Sequence, residues 1–174
     1  DNEREELELK IRLARTILRE ELAQNSINKY SVKQYCQASG VGRASFYSTY
    51  NGMPDLFCNT LQFEIRKHFQ NYSDCNSRKL VYALLKEIGD HRIYYTNIYR
   101  LTNKNTSKVH ICHQINHAFF TEMQKHLQNS NCSNKQIQSM TNIIFSRVVS
   151  WVAHNCKEKV LDVYVDLEYV LPSN

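Results

Sequence analysis

Chain breakers are scarce in this sequence. Four glycines and two prolines serve 174 residues, and so few turn formers point to an all-α fold. The length suits one or two small domains with a proper core. No cysteine pair has CxxC spacing: Cys36, Cys58, Cys75, Cys112, Cys132 and Cys156 are spread along the chain, which reads as reduced, mostly buried thiols of a cytoplasmic protein. No apolar run approaches the roughly 20 residues that cross a bilayer, so no membrane partner is expected. The first residues are acidic and polar, which is no signal peptide, and without an initiator methionine a trimmed start is expected. There is no nucleophile elbow, no glycine-rich phosphate loop and no coupled carboxylate pair. Hence no catalytic residue, resident metal or cofactor is assigned, and the chain is not read as an enzyme. The net charge of +5 is mild; it permits nucleic-acid binding without demanding it.

One absence is local. From Leu22 to Pro54 no acid occurs, and Lys29, Lys33 and Arg43 are the only charges. A phosphate-facing surface cannot tolerate carboxylates. Inside this window lies Ser31–Phe57. Ser31 with Gln34 is a capping-box pattern. Val32, Tyr35, Cys36 and Ala38 or Ser39 supply the buried face of a two-turn helix. Gly40 ends it, Val41 fills the turn, and helical spacing resumes at Gly42. Asn51-Gly52 then breaks the chain, and Pro54 falls in the first turn of a third helix. This is the grammar of a helix-turn-helix, whose second helix can enter a major groove.

These residues resemble the DNA-binding signature of the TetR family of transcriptional regulators. Ser31 stands at the first cap, Tyr35-Cys36 at the usual Ile-Ala pair, and Ser39-Gly40-Val41 at the turn; Gly42, Ser45, Phe46-Tyr47, Tyr50 and Leu56 follow in register. Met53 stands where the family usually has a phosphate-touching Lys, and Thr49 where it has His or Tyr. The resemblance implies a three-helix DNA-binding head at 1–52, a connecting helix at 53–72 and a helical effector-binding and dimerisation body at 73–174, about nine helices in all. It implies a homodimeric repressor on a palindromic operator in double-stranded DNA, released by a small-molecule effector. Ser31, Lys33, Ser45, Tyr47 and Thr49 would meet phosphates. Gly42 opens the recognition helix, and Arg43, Ala44 and Ser48 would read bases. Arg43 at the helix start can reach a guanine edge, or can serve only as a phosphate or solvent contact. The alternative is an interaction protein of the same fold that works through protein partners, as Met53 and the low charge of the head suggest.

The remaining helices follow from apolar periodicity. Asn2–Gln24 carries Leu7, Ile11, Ala14, Leu18 and Leu22, with Arg12, Arg15 and Arg19 on a solvated outer face; Asn25 takes the left-handed role that closes it. A stripe from Leu56 to Phe69 runs to about Tyr72. The body reads as helices over Arg78–Asp90, Arg92–Leu101, Thr106–Asn129, Ser133–Lys157 and Leu161–Leu171. His91 to Tyr95 with Ile98-Tyr99 loosely resembles a body type of Firmicutes TetR-like regulators. The helix over Ser133–Lys157 is apolar around most of its circumference and carries the only Trp. With the last helix it is expected to form the dimer interface, through Ile144, Val148, Trp151, Val152 and Leu167.

Tyr94, Tyr95, Tyr99, Phe119 and Phe120 either line an effector pocket or fill a core. His110, His113 and His117 share a helical face near Cys112, and their better reading is as ordinary histidines rather than metal ligands.

Overall fold

The structure, a computed structural model, describes residues 1–103 and 108–173, with side chains for all of these except 103 and 108–110. Among the described residues there are nine α-helices and no strand: α1 Asn2–Leu22, α2 Val32–Ser39, α3 Arg43–Thr49, α4 Met53–Asn71, α5 Ser77–Asp90, α6 Arg92–Asn103, α7 Lys108–His126, α8 Asn134–Ala153 and α9 Val160–Glu168. The all-α expectation holds. So does the count of helices in the body.

The helix-turn-helix forms as its residues direct. The Ser31 Oγ accepts from the Gln34 N–H at 3.2 Å, and the Ser31 N–H donates to Gln34 Oε1 at 2.8 Å, so two otherwise orphaned donors of α2 are satisfied. Gly40 stops the helix at φ 74°, a conformation that costs an L side chain roughly 1–2 kcal/mol. Tyr35 and Phe46 meet edge to face with centroids 5.8 Å apart. They pack on Leu18 and Leu22 of α1 and on Leu56 of α4, all fully buried or nearly so. This core does not stop at the head. Tyr94 and Ile98 of α6 belong to the same cluster, so the head is welded to the body through α6 as well as α4.

The body core gathers Leu80 and Leu85 of α5, Met123 of α7, Ile144 and Trp151 of α8 and Val163 of α9. In it α4 packs mainly on α7, α7 on α8, and α5 on α9. The α5–α9 approach is close because Gly89 has no Cβ: one built there would lie 2.7 Å from Val160 Cγ2 and 3.4 Å from the Trp151 ring.

Two helix ends differ from expectation. Asn25 does not take a left-handed conformation; among the described non-glycine residues only Asn155 and Cys156 have positive φ, at 62° and 51°. The end of α1 is capped from a distance by Asn97 of α6. Its Nδ2 donates to Leu22 O and Asn25 O, both at 2.8 Å, and its Oδ1 accepts from the Ile27 N–H at 3.0 Å. The left-handed pair instead ends α8 near Ala153 rather than Lys157. There the Cys156 N–H returns to Trp151 O at 2.9 Å, and the indole N–H of Trp151 reaches Glu158 O at 3.0 Å. The expected start of α7 at Thr106 lies outside the described residues.

Candidate nucleic-acid interface and body cavity

The outward face of α3 is set by one inward residue. Phe46 is 1% exposed, and its burial, about 1.5–3 kcal/mol of hydrophobic stabilisation, fixes the rotation of a helix only seven residues long. Arg43, Ala44, Ser45, Tyr47 and Ser48 are consequently exposed and Thr49 half-buried. Tyr47 is 48% exposed, so it is a surface group rather than a core plug. Ser48 Oγ donates to Ser45 O at 2.7 Å and Thr49 Oγ1 to the same carbonyl at 3.5 Å. Gly42 opens α3 in extended backbone. Lys33 is exposed on α2 and Ser31 is half-buried at its cap. The predicted DNA-facing residues are therefore at the surface, Ser31 and Thr49 only partly so. Met53 is 7% exposed and sits in the head core, so this position offers nothing to a phosphate.

The body holds a cavity of about 560 Å³, within the range that takes a small organic molecule. Tyr95, Tyr99 and Phe119 line it; Tyr94 and Phe120 do not. Tyr94 is fully buried behind the wall, and Phe120 packs as a partly buried side chain against the body core.

At the wall nearest the head the structure assembles a polar network that the sequence reading did not foresee. Arg15 and Arg19, expected on a solvated face of α1, turn toward α4. Arg19 is 16% exposed at its side chain and Glu64 of α4 only 10%. Tyr94 and Tyr95 donate their hydroxyls to Glu64 Oε1 at 3.2 Å and Oε2 at 3.0 Å. Arg15 Nε stands 3.4 Å from Oε1, and Arg19 Nη2 stands 3.4 Å from Oε2. Arg19 Nη2 also donates to Glu87 of α5 at 2.9 Å and to the Tyr95 hydroxyl at 2.9 Å, while its guanidinium lies 4.2 Å above the Tyr94 ring. Burial pushes the Glu64 carboxyl above the usual carboxylate range, against the pull of Arg19 and Arg15. Burial opposes the charge on Arg19, but Glu64 and the two tyrosines more than offset it and hold the guanidinium protonated. The sequence did carry a signal: Glu64 interrupts the apolar stripe of α4 between Leu61 and Ile65, where a solvated acid has no place.

The predicted dimer residues face elsewhere. Ile144, Trp151 and Leu167 are 1% exposed and Val152 9%, all within the chain's own core, and Val148 lines the cavity. The outward side of α8 is polar, with Lys135, Ser139, Asn142, Ser146 and Ser150 exposed along one stripe, so the helix is less uniformly apolar than expected. The outward apolar side chains of this region are Ile143 on α8 and Leu161, Val165 and Tyr169 on or beside α9, 39% to 75% exposed. His113 and His117 are exposed on α7; the side chain of His110 lies outside the described residues. Among the described residues no three His, Cys, Asp or Glu side chains are grouped to hold a metal ion. Nor is any helix long and apolar enough to cross a membrane.

Among the described residues the chain is all-helical and carries a helix-turn-helix in α2 and α3. The fold is TetR-like: the chain is similar to the crystal structure of a TetR transcriptional regulator from Rhodococcus sp. RHA1, with a TM-score of 0.73 and 12% identity over 94% of each chain. No family model matches the sequence, and no curated protein matches it.

Proposed function

We propose that this chain is a sequence-specific, DNA-binding transcriptional regulator, a homodimeric repressor released by a small molecule held in the body cavity. The observation that carries this reading is the outward face of α3. It is an acid-free, hydroxyl-rich surface with Arg43 in its first turn, mounted on a TetR-like scaffold. Residues 1–52 would serve as the DNA-binding domain, 53–72 as the connector and 73–174 as the effector and dimerisation domain.

Serines, Tyr47 and Lys33 would position the head on phosphates, while Arg43, Ala44 and Ser48 read base edges. Two heads in successive major grooves require a two-fold dimer and a palindromic site. The dimer surface would be built from the outward apolar group around Ile143 and Val165. The network of Arg19, Glu64 and Glu87 joins α1, α4 and α5 at the cavity wall, so a molecule that rearranges it would change how the head sits on the body.

Binding of the full chain to random duplex DNA over a salt series tests the reading. Retention at about 50 mM salt, with log affinity falling linearly in log salt, is the expected result for phosphate-driven contact. Meanwhile the buried Met53, and a head with so few cations, favour a second reading: the same fold acting on a protein partner. No binding to duplex at low salt would leave that second reading in its place.

A further inference from the structure

The charges on the wall of the cavity are already matched within the chain. Arg19 and Glu64 are the most deeply placed of them, 16% and 10% exposed at their side chains. Both oxygens of Glu64 are taken, Oε1 by Tyr94 and Arg15 and Oε2 by Tyr95 and Arg19. Arg19 Nη2 is held by Glu87 and Tyr95 as well. The other basic residues on the wall, Lys67 and Lys86, pair with Glu8 at 3.6 Å and with Asp90 at 3.1 Å. These two pairs are open to water, which screens what is left of their charge. His68, also on the wall, is pushed toward its neutral form by burial, and its Nε2 lies 2.9 Å from Leu80 O. The wall that α6, α7 and α8 supply carries no charged side chain; Ile111, Ile115 and Phe119 of α7 and Ile144, Phe145 and Val148 of α8 belong to it.

We propose that the cavity takes an uncharged, largely apolar molecule, seated among the side chains of α7 and α8. This rests on the reading of the cavity as the effector site and names the class of molecule it accepts. A carboxylate brought inside would meet arginines already held by Glu64 and Glu87. An ammonium would meet a Glu64 already held by two arginines and two tyrosines. Either ion would give up its water without gaining a free partner, and a buried charge in that state is strongly disfavoured. An uncharged body loses only apolar hydration, which favours binding. The volume of about 560 Å³ suits a drug-sized molecule. Selectivity thus comes from exclusion, since the internal pairs penalise charged competitors.

Competition against a neutral fluorescent probe, N-phenyl-1-naphthylamine, on the full chain tests this. Decanol, decanoate and decylamine share one tail, and near neutral pH the acid and the amine are both ionised. Decanol should displace the probe at a concentration at least about tenfold lower than either ion, a difference of about 1.4 kcal/mol. Val148→Trp and Ile115→Trp, which fill the cavity from α8 and from α7, should each abolish probe uptake. Glu64→Gln removes the acid that holds Arg15 and Arg19, so the advantage of decanol over decanoate should shrink there by at least about threefold. Equal or better displacement by decanoate or decylamine overturns the uncharged class while leaving the cavity as a binding site. Wild-type uptake in both folded tryptophan variants puts the probe elsewhere and overturns the proposal. An unchanged advantage in a folded Glu64→Gln overturns the internal pairs as the cause of the selectivity. Failure of the wild-type chain to take up the probe or decanol overturns both this proposal and the effector site. The three-head series on the wild-type chain decides the matter even where a variant does not fold.

Discussion

Asn97 of α6 holds the last turn of α1, its carboxamide 2.8 Å from the Leu22 carbonyl. A helix with no glycine at its end thereby finds its cap some seventy residues away in sequence, |i−j| = 75. The side chain is fully buried, and its three bonds to backbone groups join the head to the body.

Replacing Asn97 with Ala should therefore be costly. It strands buried carbonyls of α1 and the Ile27 N–H, each worth about 1–3 kcal/mol when unsatisfied. A loss of roughly 2–4 kcal/mol is expected in urea unfolding, read as a lower midpoint at unchanged slope. A loss below about 0.5 kcal/mol, the range of ordinary surface substitutions, would remove Asn97 from this role.

The pairing of Glu64 with Arg19 should show as non-additivity. Glu64→Gln leaves Arg19 with Glu87 and should cost about 1–3 kcal/mol. Arg19→Met leaves a buried carboxylate short of a partner and should cost more, about 3–5 kcal/mol at the upper end. The double variant should be less destabilised than the sum by at least about 1 kcal/mol. Strict additivity would mean that the two side chains are neighbours without being coupled.

Gly89→Ala reverses a usual expectation. In a helix interior alanine is favoured over glycine by roughly 0.5–1 kcal/mol. Here its Cβ would fall 2.7 Å from Val160 Cγ2. Overpacking of this kind costs typically about 1–3 kcal/mol, so net destabilisation is expected, with a lower thermal midpoint. A more stable Gly89→Ala variant would show that Val160 yields at no cost.

Stability should also depend on pH through His68. Burial holds its pKa below the ordinary 6.5, although the Leu80 carbonyl favours the charged ring. The folded chain thus prefers the neutral ring. As pH falls through 6.5 the unfolded chain takes up a proton that the folded chain refuses, and stability drops toward the lower, folded pKa. Above about pH 7.5 the effect is absent. One such group contributes at most about 1.4 kcal/mol per pH unit, and His126, also lowered by burial, acts in the same direction. Urea midpoints from about pH 7.5 to 5.5 should fall less steeply in His68→Gln than in the wild type. Parallel curves would argue against His68 as a contributor.

On DNA, Arg43→Ala should cost roughly 1–3 kcal/mol on the cognate site and relax sequence choice there. Lys33→Ala should instead weaken all duplexes alike and flatten the salt slope by about one unit. Selection of an operator from a randomised pool reads both. An Arg43→Ala variant with unchanged selectivity makes Arg43 a phosphate contact.

Local chemistry was enough for much of this protein. Scarce breakers and 3.6-residue periodicity gave the helices, because helix formation is dominated by which face is apolar. Ser31, Gln34 and Gly40 gave the boundaries of the turn, because caps act within a few residues of themselves. The inward place of Phe46, and with it the exposed face that includes Arg43, came from the packing of α3 on α1, α2 and α4.

What the sequence left undecided depended on non-local partners. Arg19 sits where a solvated face is expected until α4 places Glu64 and α6 places two tyrosines against it. Asn25 is a plausible left-handed cap until Asn97 arrives from α6. Trp151 and Ile144, as large apolar residues of α8, fit either a core or an interface; packing against α6, α7 and α9 buries them within the chain. Only the tertiary structure brings these chain-distant groups together, and a buried charge or an apolar face takes its meaning from what lies across from it.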